Sequence, residues 1–238
     1  MNIKAVFFDY DDTLIDANSA RNHARRTVAT RVAQNHGLDE TLVLEIIKNV
    51  ETRMEASGVF DRRIWFREMA NSLGIVLSLG EINELVRIYW DSWSSRSKVF
   101  PDVIPTLKAL KKCGYVVGLI TNTDGELGLK RNRINRDGIL NLFDVVIIAG
   151  DDTEQVKPSP QPFLEALKII NIKGNEAIYV GDKPGSDIPG AKAAGMYTVL
   201  IDRYGLLVPD LINPKPDYII KSLLDLSRLL RRCGDNAY

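Results

Sequence analysis

Apolar and polar residues change rhythm twice along this chain. Residues 3–9 (IKAVFFD) form an apolar run that ends on an acid, the pattern of a short strand buried on both faces. From about residue 16 to residue 96 the spacing becomes helical. Ile82, Leu85, Val86, Tyr89 and Trp93 recur at three- and four-residue steps, and Phe60, Ile64, Met69 and Leu73 do so less regularly. Gly37, Gly58, Gly74 and Gly80 divide the stretch into about four helices. After Phe100-Pro101, strands and helices alternate. A helix at 103–113 precedes strands at 116–121 (VVGLIT) and 144–149 (DVVIIA). A helix at 160–170 follows, with Ser159 as its N-cap and Pro160 in its first turn. Then come a strand at 177–181 (AIYVG), a helix at 188–194 closed by Gly195, and strands at 197–201 and 217–220. A leucine-rich helix at 222–232 ends the pattern.

Apolar strands alternating with helices predict an α/β fold, a parallel sheet covered on both faces. The expected architecture is a doubly wound, Rossmann-like core made of residues 1–15 and 98–238. An all-helical cap domain, residues 16–97, is inserted after the first strand. Ligands of such sheets bind beyond the carboxyl ends of the strands, so the residues there are the ones to read for chemistry.

Composition narrows the choice only a little. At 238 residues, with 45% hydrophobic and 26% charged side chains, the chain is long enough for a large core. Lys+Arg and Asp+Glu both total 31, so net charge gives no reason to expect nucleic acid or a membrane surface as partner. Cys113 and Cys233 read as two free thiols of a reducing compartment. The opening residues MNIKAVFFDYDD carry no signal-peptide or membrane-span pattern, and the cytoplasm is the expected location.

Polar residues follow the apolar runs directly at several strand ends. Asp9-Tyr10-Asp11-Asp12-Thr13 follows the first, Thr121-Asn122 the second, and Gly181-Asp182 a later one, with Asp187 five residues on. Lys157-Pro158 precedes a helix start between them. In a doubly wound sheet these positions converge on one cleft. Asp9, Asp11, Asp182 and Asp187 would repel one another unless cations compensate. Lys157 offers one charge, and a divalent ion is the natural remainder. Oxygen donors with no histidine or cysteine beside them favour magnesium over zinc. Such a site suits a phosphoryl group, with Thr121 and the amide of Asn122 able to hold its oxygens. A carboxylate nucleophile needs no base at neutral pH. An acid two residues later can protonate the leaving oxygen and then take a proton from water. Asp12 reads as a turn or surface acid. Arg21 and Arg25 share a helix face and read as a solvated basic surface, while Trp65, Trp90 and Trp93 read as helical core.

The set FFDYDDTL, LITN, VKPSPQPF and VGDKPGSDIPGAKAAG resembles the haloacid dehalogenase-like superfamily. It is most similar to the phosphatase branch with a helical cap after the first motif, the group of phosphoglycolate and glyceraldehyde 3-phosphate phosphatases. The resemblance implies a magnesium-dependent hydrolysis of small phosphorylated metabolites through an aspartyl phosphate. Asp9 would be nucleophile and metal ligand. Asp11 would be general acid/base, and would meet the metal through its backbone carbonyl. Thr121 and Asn122 would bind phosphate, and Lys157 would steady the aspartyl phosphate. Asp182 and Asp187 would complete the metal site, and Thr13 would fix the turn after the first strand.

Competing readings differ at single positions. Haloacid dehalogenases of this superfamily carry tyrosine two residues after the nucleophile, where this chain has Asp11. Phosphosugar mutases place a histidine twelve residues after it, where this chain has Arg21; His23 is two residues off register. A phosphorylation-switch module would be about half this length, and a non-catalytic phosphate-binding relative would have lost part of the motif set.

Overall fold

The computed structural model describes residues 2–230. Six parallel strands form one sheet: β1 (Ala5–Phe8), β2 (Val116–Asn122), β3 (Val145–Ala149), β4 (Ala177–Gly181), β5 (Tyr197–Ile201) and β6 (Tyr218–Ile220). Their order is β3-β2-β1-β4-β5-β6. This is the α/β, doubly wound, Rossmann-like arrangement that the strand–helix alternation predicts. Every residue of β1 and β4 is buried, as expected for strands covered on both faces. Ala5 and Phe7 of β1 share one apolar cluster with Ile120, Phe163, Ala177 and Tyr179.

The chain order reverses at the β1/β4 boundary. Chain segments leave it in opposite directions across the sheet, which opens a crevice beyond the strands' carboxyl ends. Register fixes what lies there. Phe8 pairs with Leu119 of β2 and with Val180 of β4. Asp9, Thr121 and Asp182 therefore leave the sheet at the same end.

The chain divides into two compact units. One comprises residues 1–16, 99–123 and 130–238 and contains the sheet; the other comprises 17–98 and 124–129. The second unit is built of α1 (Ala17–His36), α2 (Glu40–Ala56), α3 (Arg62–Leu73) and α4 (Leu79–Arg96). The starts of α2, α3 and α4 are set by side-chain caps. Asp39 accepts from the Leu42 amide, Asp61 from that of Arg63, and Ser78 and Glu81 form a reciprocal capping box. Small residues on α1 (Ala17, Ala20, Ala24, Ala29 and Ala33) are buried, which permits close approach to α2 and α4. Trp65 and Trp93 are buried as expected, and Trp90 is half-buried.

Three expectations change here. Arg21 and Arg25 are not a solvated basic face: Arg25 Nε lies 2.6 Å and Arg21 Nε 3.6 Å from the buried carboxylate of Glu51. Ile64 is exposed, and Arg62 takes the buried position on α3, its guanidinium stacked 3.5 Å from the centre of the Trp65 ring. Cys113 is disulfide-bonded rather than a free thiol; Cys233 lies outside the described residues.

The sheet unit adds α5 (Val103–Lys112), α6 (Leu129–Arg136, starting at the boundary of the two units), α7 (Gln161–Ile169) and α8 (Asp187–Ala193). Helix α6 has no counterpart in the sequence reading. The expected helix at 222–232 is a 3₁₀ segment, Leu223–Arg228, as far as the described residues extend. Among the described residues no helix is long and apolar enough to cross a membrane.

Candidate active site

Asp9 follows β1 directly and its amide donates to Val180 O of β4 at 2.8 Å, which holds the two strand ends together. The chain then turns sharply. The Leu14 and Ile15 amides both return to Tyr10 O, and Asp12 takes a left-handed backbone at φ 60°. Asp12 is buried, not a surface acid, and accepts from the Tyr204 hydroxyl at 2.9 Å. Thr13 reaches across the crevice and donates to Asp182 Oδ1 at 3.2 Å.

Asp9, Asp182 and Asp187 each offer a carboxylate oxygen within 4.8 Å of the others. Neither histidine joins them. Gly181 makes room for this cluster: a β-carbon there would stand 2.4 Å from Asp187 Oδ2. The Lys183 amide donates to that same oxygen at 2.8 Å, so Asp187 braces the loop after β4 instead of capping its own helix.

Lys157 is buried in the centre. Its Nζ donates to Asp9 Oδ1 and Asp187 Oδ1, each at 2.7 Å, and to the Tyr179 hydroxyl at 2.9 Å. Tyr179 in turn donates to Ile120 O at 2.9 Å. Asn122 carries the lysine's backbone: Oδ1 accepts from Lys157 N at 2.9 Å and Nδ2 donates to Lys157 O at 3.3 Å. The Asn122 side chain thus positions Lys157, and only its backbone N–H remains for the oxyanion role expected of it. Thr121 is buried at the same end of β2.

Charge sets the balance. Removal from water, and then the negative charges of Asp187, Asp9 and Asp12, push the Asp182 pKa well above the carboxylate range. Burial also raises Asp187, against the opposing pull of the Lys157 ammonium. Burial works against the charged lysine, but Asp187 and Asp9 outweigh it and raise its pKa. Three crowded acids share one ammonium, a deficit that one hard cation with oxygen ligands would relieve. Magnesium fits this donor set.

Asp11 stands apart from that cluster. Arg133 Nη2 donates to its Oδ1 at 2.8 Å and Lys130 Nζ to its Oδ2 at 2.5 Å. Burial opposes ionisation of Asp11, but these two cations prevail and hold its carboxyl far below the usual range. Lys130, Arg133 and Tyr179 escape a reading of the sequence alone. The segment LKRNRINR has almost no apolar residues to mark a helix. The tyrosine in the otherwise aliphatic strand AIYVG was the available signal, since a buried phenol seeks a polar partner.

A doubly wound sheet with carboxylates, a buried lysine and a β2-end threonine at its switch point is a site suited to a phosphoryl group. The chain belongs to the haloacid dehalogenase-like hydrolases, whose family profile matches residues 3–195. It is 34% identical to the glyceraldehyde 3-phosphate phosphatase of Methanopyrus kandleri, over 97% of this chain and 99% of that protein. It is 33% identical to the protein of the same name from Pyrococcus furiosus, over 97% and 94%. A solved haloacid dehalogenase-like phosphatase from Thermococcus onnurineus superposes with a TM-score of 0.70 at 29% identity, covering 96% of this chain and 98% of that one. The chain is a phosphoric monoester hydrolase.

Proposed function

We propose that this enzyme hydrolyses small phosphomonoesters with magnesium, through a phosphoryl group carried on Asp9, and that the helical unit serves as a cap over the reaction. Glyceraldehyde 3-phosphate is the substrate to test first, a choice supported by the names of the relatives above; phosphoglycolate and sugar phosphates are of the same class. The observation that carries the reading is the meeting of Asp9, Asp182 and Asp187 within 4.8 Å beside the Lys157 ammonium. Asp9, Asp182 and Asp187 would hold the ion, with the Asp11 carbonyl. When bound, magnesium supplies positive charge that offsets repulsion between the phosphate and the carboxylates.

The chain's own residues then divide the work. An Asp9 carboxylate oxygen attacks phosphorus while the ester P–O bond breaks, and the leaving oxygen takes a proton from Asp11, which for this step must leave the Lys130 and Arg133 contacts that hold it ionised and take up a proton from solvent. Thr121 and the Asn122 amide receive phosphoryl oxygens, and Lys157 stabilises the charge gathering on Asp9 and the phosphoryl group. Water attacks the phosphoryl group next. Asp11 takes its proton, the P–O bond to Asp9 breaks, and inorganic phosphate leaves with Asp9 restored.

The test is a magnesium-dependent assay on glyceraldehyde 3-phosphate, phosphoglycolate and sugar phosphates, with EDTA and with Asp9→Asn. Activity should need the metal and fall at least on the order of 10³-fold in Asp9→Asn. Full activity in that variant would remove Asp9 as nucleophile.

A further inference from the structure

Strand β4 (AIYVG) carries one polar atom outside its backbone, the Tyr179 hydroxyl, and the whole side chain is buried. The ring packs edge-on against Phe163 of α7 with centroids 4.9 Å apart, and phenylalanine would fill the same space. The hydroxyl needs a reason of its own, because burying one costs free energy unless it is bonded. Its partners supply that reason. It accepts from Lys157 Nζ at 2.9 Å and donates to Ile120 O at 2.9 Å, while Asp187 Oδ1 lies 3.2 Å away. A phenol has one proton to give, and Ile120 O is the nearer acceptor. Lys157 in turn gives its three ammonium protons to three acceptors: Asp9 Oδ1, Asp187 Oδ1 and this hydroxyl. Two of the three are carboxylates of the acidic cluster. The hydroxyl alone among them is neutral, and it is anchored on the backbone one residue before Thr121. A lysine is a point charge on a flexible stem, so its partners decide where that charge stands.

We propose that Tyr179 is a positioning residue for Lys157, one that keeps the ammonium beside Asp9 while the charge on Asp9 changes. The inference rests on the reading of Asp9 and Lys157 given under Proposed function. Once a phosphoryl group joins Asp9, one carboxylate oxygen is taken into the new bond and Asp9 attracts the ammonium less. Asp187 then attracts it more strongly than Asp9 does. The Tyr179 hydroxyl, fixed between its own strand and Ile120 O of β2, opposes the resulting movement and keeps the positive charge near the phosphoryl group. Tyr179 acts only through Lys157.

The experiment is a double-mutant cycle. Wild type, Tyr179→Phe, Lys157→Met and Tyr179→Phe/Lys157→Met are assayed with magnesium on p-nitrophenyl phosphate and glyceraldehyde 3-phosphate, and thermal unfolding establishes that each is folded. Tyr179→Phe should lower kcat on the order of tenfold and leave KM within about twofold of wild type, because the loss falls on the reaction and not on binding. In the Lys157→Met background the same substitution should cost no further kcat, because Tyr179 acts through the lysine. A second measurement needs neither metal nor substrate. A buried ammonium bonded to three acceptors exchanges its protons slowly and gives its own resonance in proton–nitrogen NMR, assigned to Lys157 by its absence from Lys157→Met. That resonance should shift or broaden in Tyr179→Phe. Wild-type kcat in Tyr179→Phe would overturn the proposal, as would an unchanged ammonium resonance. A loss of kcat of the same size with and without Lys157 would overturn it too, since the hydroxyl would then serve only the packing of β4 on β2. Wild-type turnover in Lys157→Met would instead remove the role given to that lysine under Proposed function, and this proposal with it.

Discussion

Lys157 is where the chemistry of the crevice and the stability of the fold meet. It is the ammonium held between Asp9 and Asp187, and all three are buried. Lys157→Met keeps the stem but leaves two carboxylates facing each other, and breaking a buried pair in this way costs about 3 kcal/mol or more. Magnesium at the same acids would replace part of the missing charge. The difference in melting temperature between Lys157→Met and wild type should therefore be larger in EDTA than in magnesium chloride, as followed by thermal denaturation. A difference that ignores the metal would separate the lysine from the ion site. At this scale the sequence is informative about identity more than geometry. Asp9, Asp182, Asp187 and Lys157 stand out because each follows an apolar run or precedes a helix start. Nothing in the sequence tells that the Asn122 side chain serves Lys157, that Asp12 is buried against Tyr204, or that Asp11 turns toward α6. Those facts depend on side-chain partners more than thirty residues away.

Elements with a strong apolar period were legible, and those built on polar contacts were not. Helix α4 buries Ile82, Leu85, Tyr89 and Trp93 as its spacing predicts. Helix α3 departs from its apolar period because Arg62 can stack on Trp65 and so be buried where Ile64 is not. Helix α6 was invisible because its buried face is Lys130, Arg133 and Ile134. The segment Asp124–Leu129 also surprises. It follows Thr121 and Asn122 almost directly, yet groups with the helical unit. Gly125 there has φ 88°, and a β-carbon on it would lie 2.2 Å from Asp61 N and 2.3 Å from Phe60 C. Both are backbone atoms that no rotamer change can move. Gly128 has a similar φ of 80° but open space around it. Both substitutions to alanine pay the left-handed strain of about 1–2 kcal/mol, and Gly125→Ala adds the collision. Gly125→Ala should therefore destabilise more than Gly128→Ala in chemical denaturation. Equal losses would mean that the approach to α3 is not tight.

For the molecule as a whole, a strand order with one reversal was enough to bring residues 173 positions apart, Asp9 and Asp182, to the same edge. That much follows from alternating strands and helices, which is why the fold class could be read before any coordinates. What closes the sheet unit is less visible. Asp102 sits where the chain re-enters that unit, and its Oδ2 accepts from Arg203 Nη1 at 2.7 Å, Ser222 Oγ at 2.7 Å and the Leu223 amide at 2.9 Å. Arg203 also donates to Thr13 O at 2.7 Å, so three segments meet at this carboxylate and a fourth joins them through the arginine. Partial burial opposes its charge, but Arg203 and the hydroxyl and amide donors hold the Asp102 pKa below its ordinary value. A carboxylate whose pKa is lower folded than unfolded binds fewer protons in the folded state, so its stabilisation is present above the unfolded pKa, about pH 4. It is lost as pH falls through the folded pKa. Asp102→Asn should accordingly cost about 2 kcal/mol near neutrality, and the gap to wild type should narrow as denaturation is measured at progressively lower pH below about 4. Arg203→Gln should show the same narrowing, because it removes the donor that most lowers that pKa, and a gap independent of pH would assign the junction to packing rather than to charge.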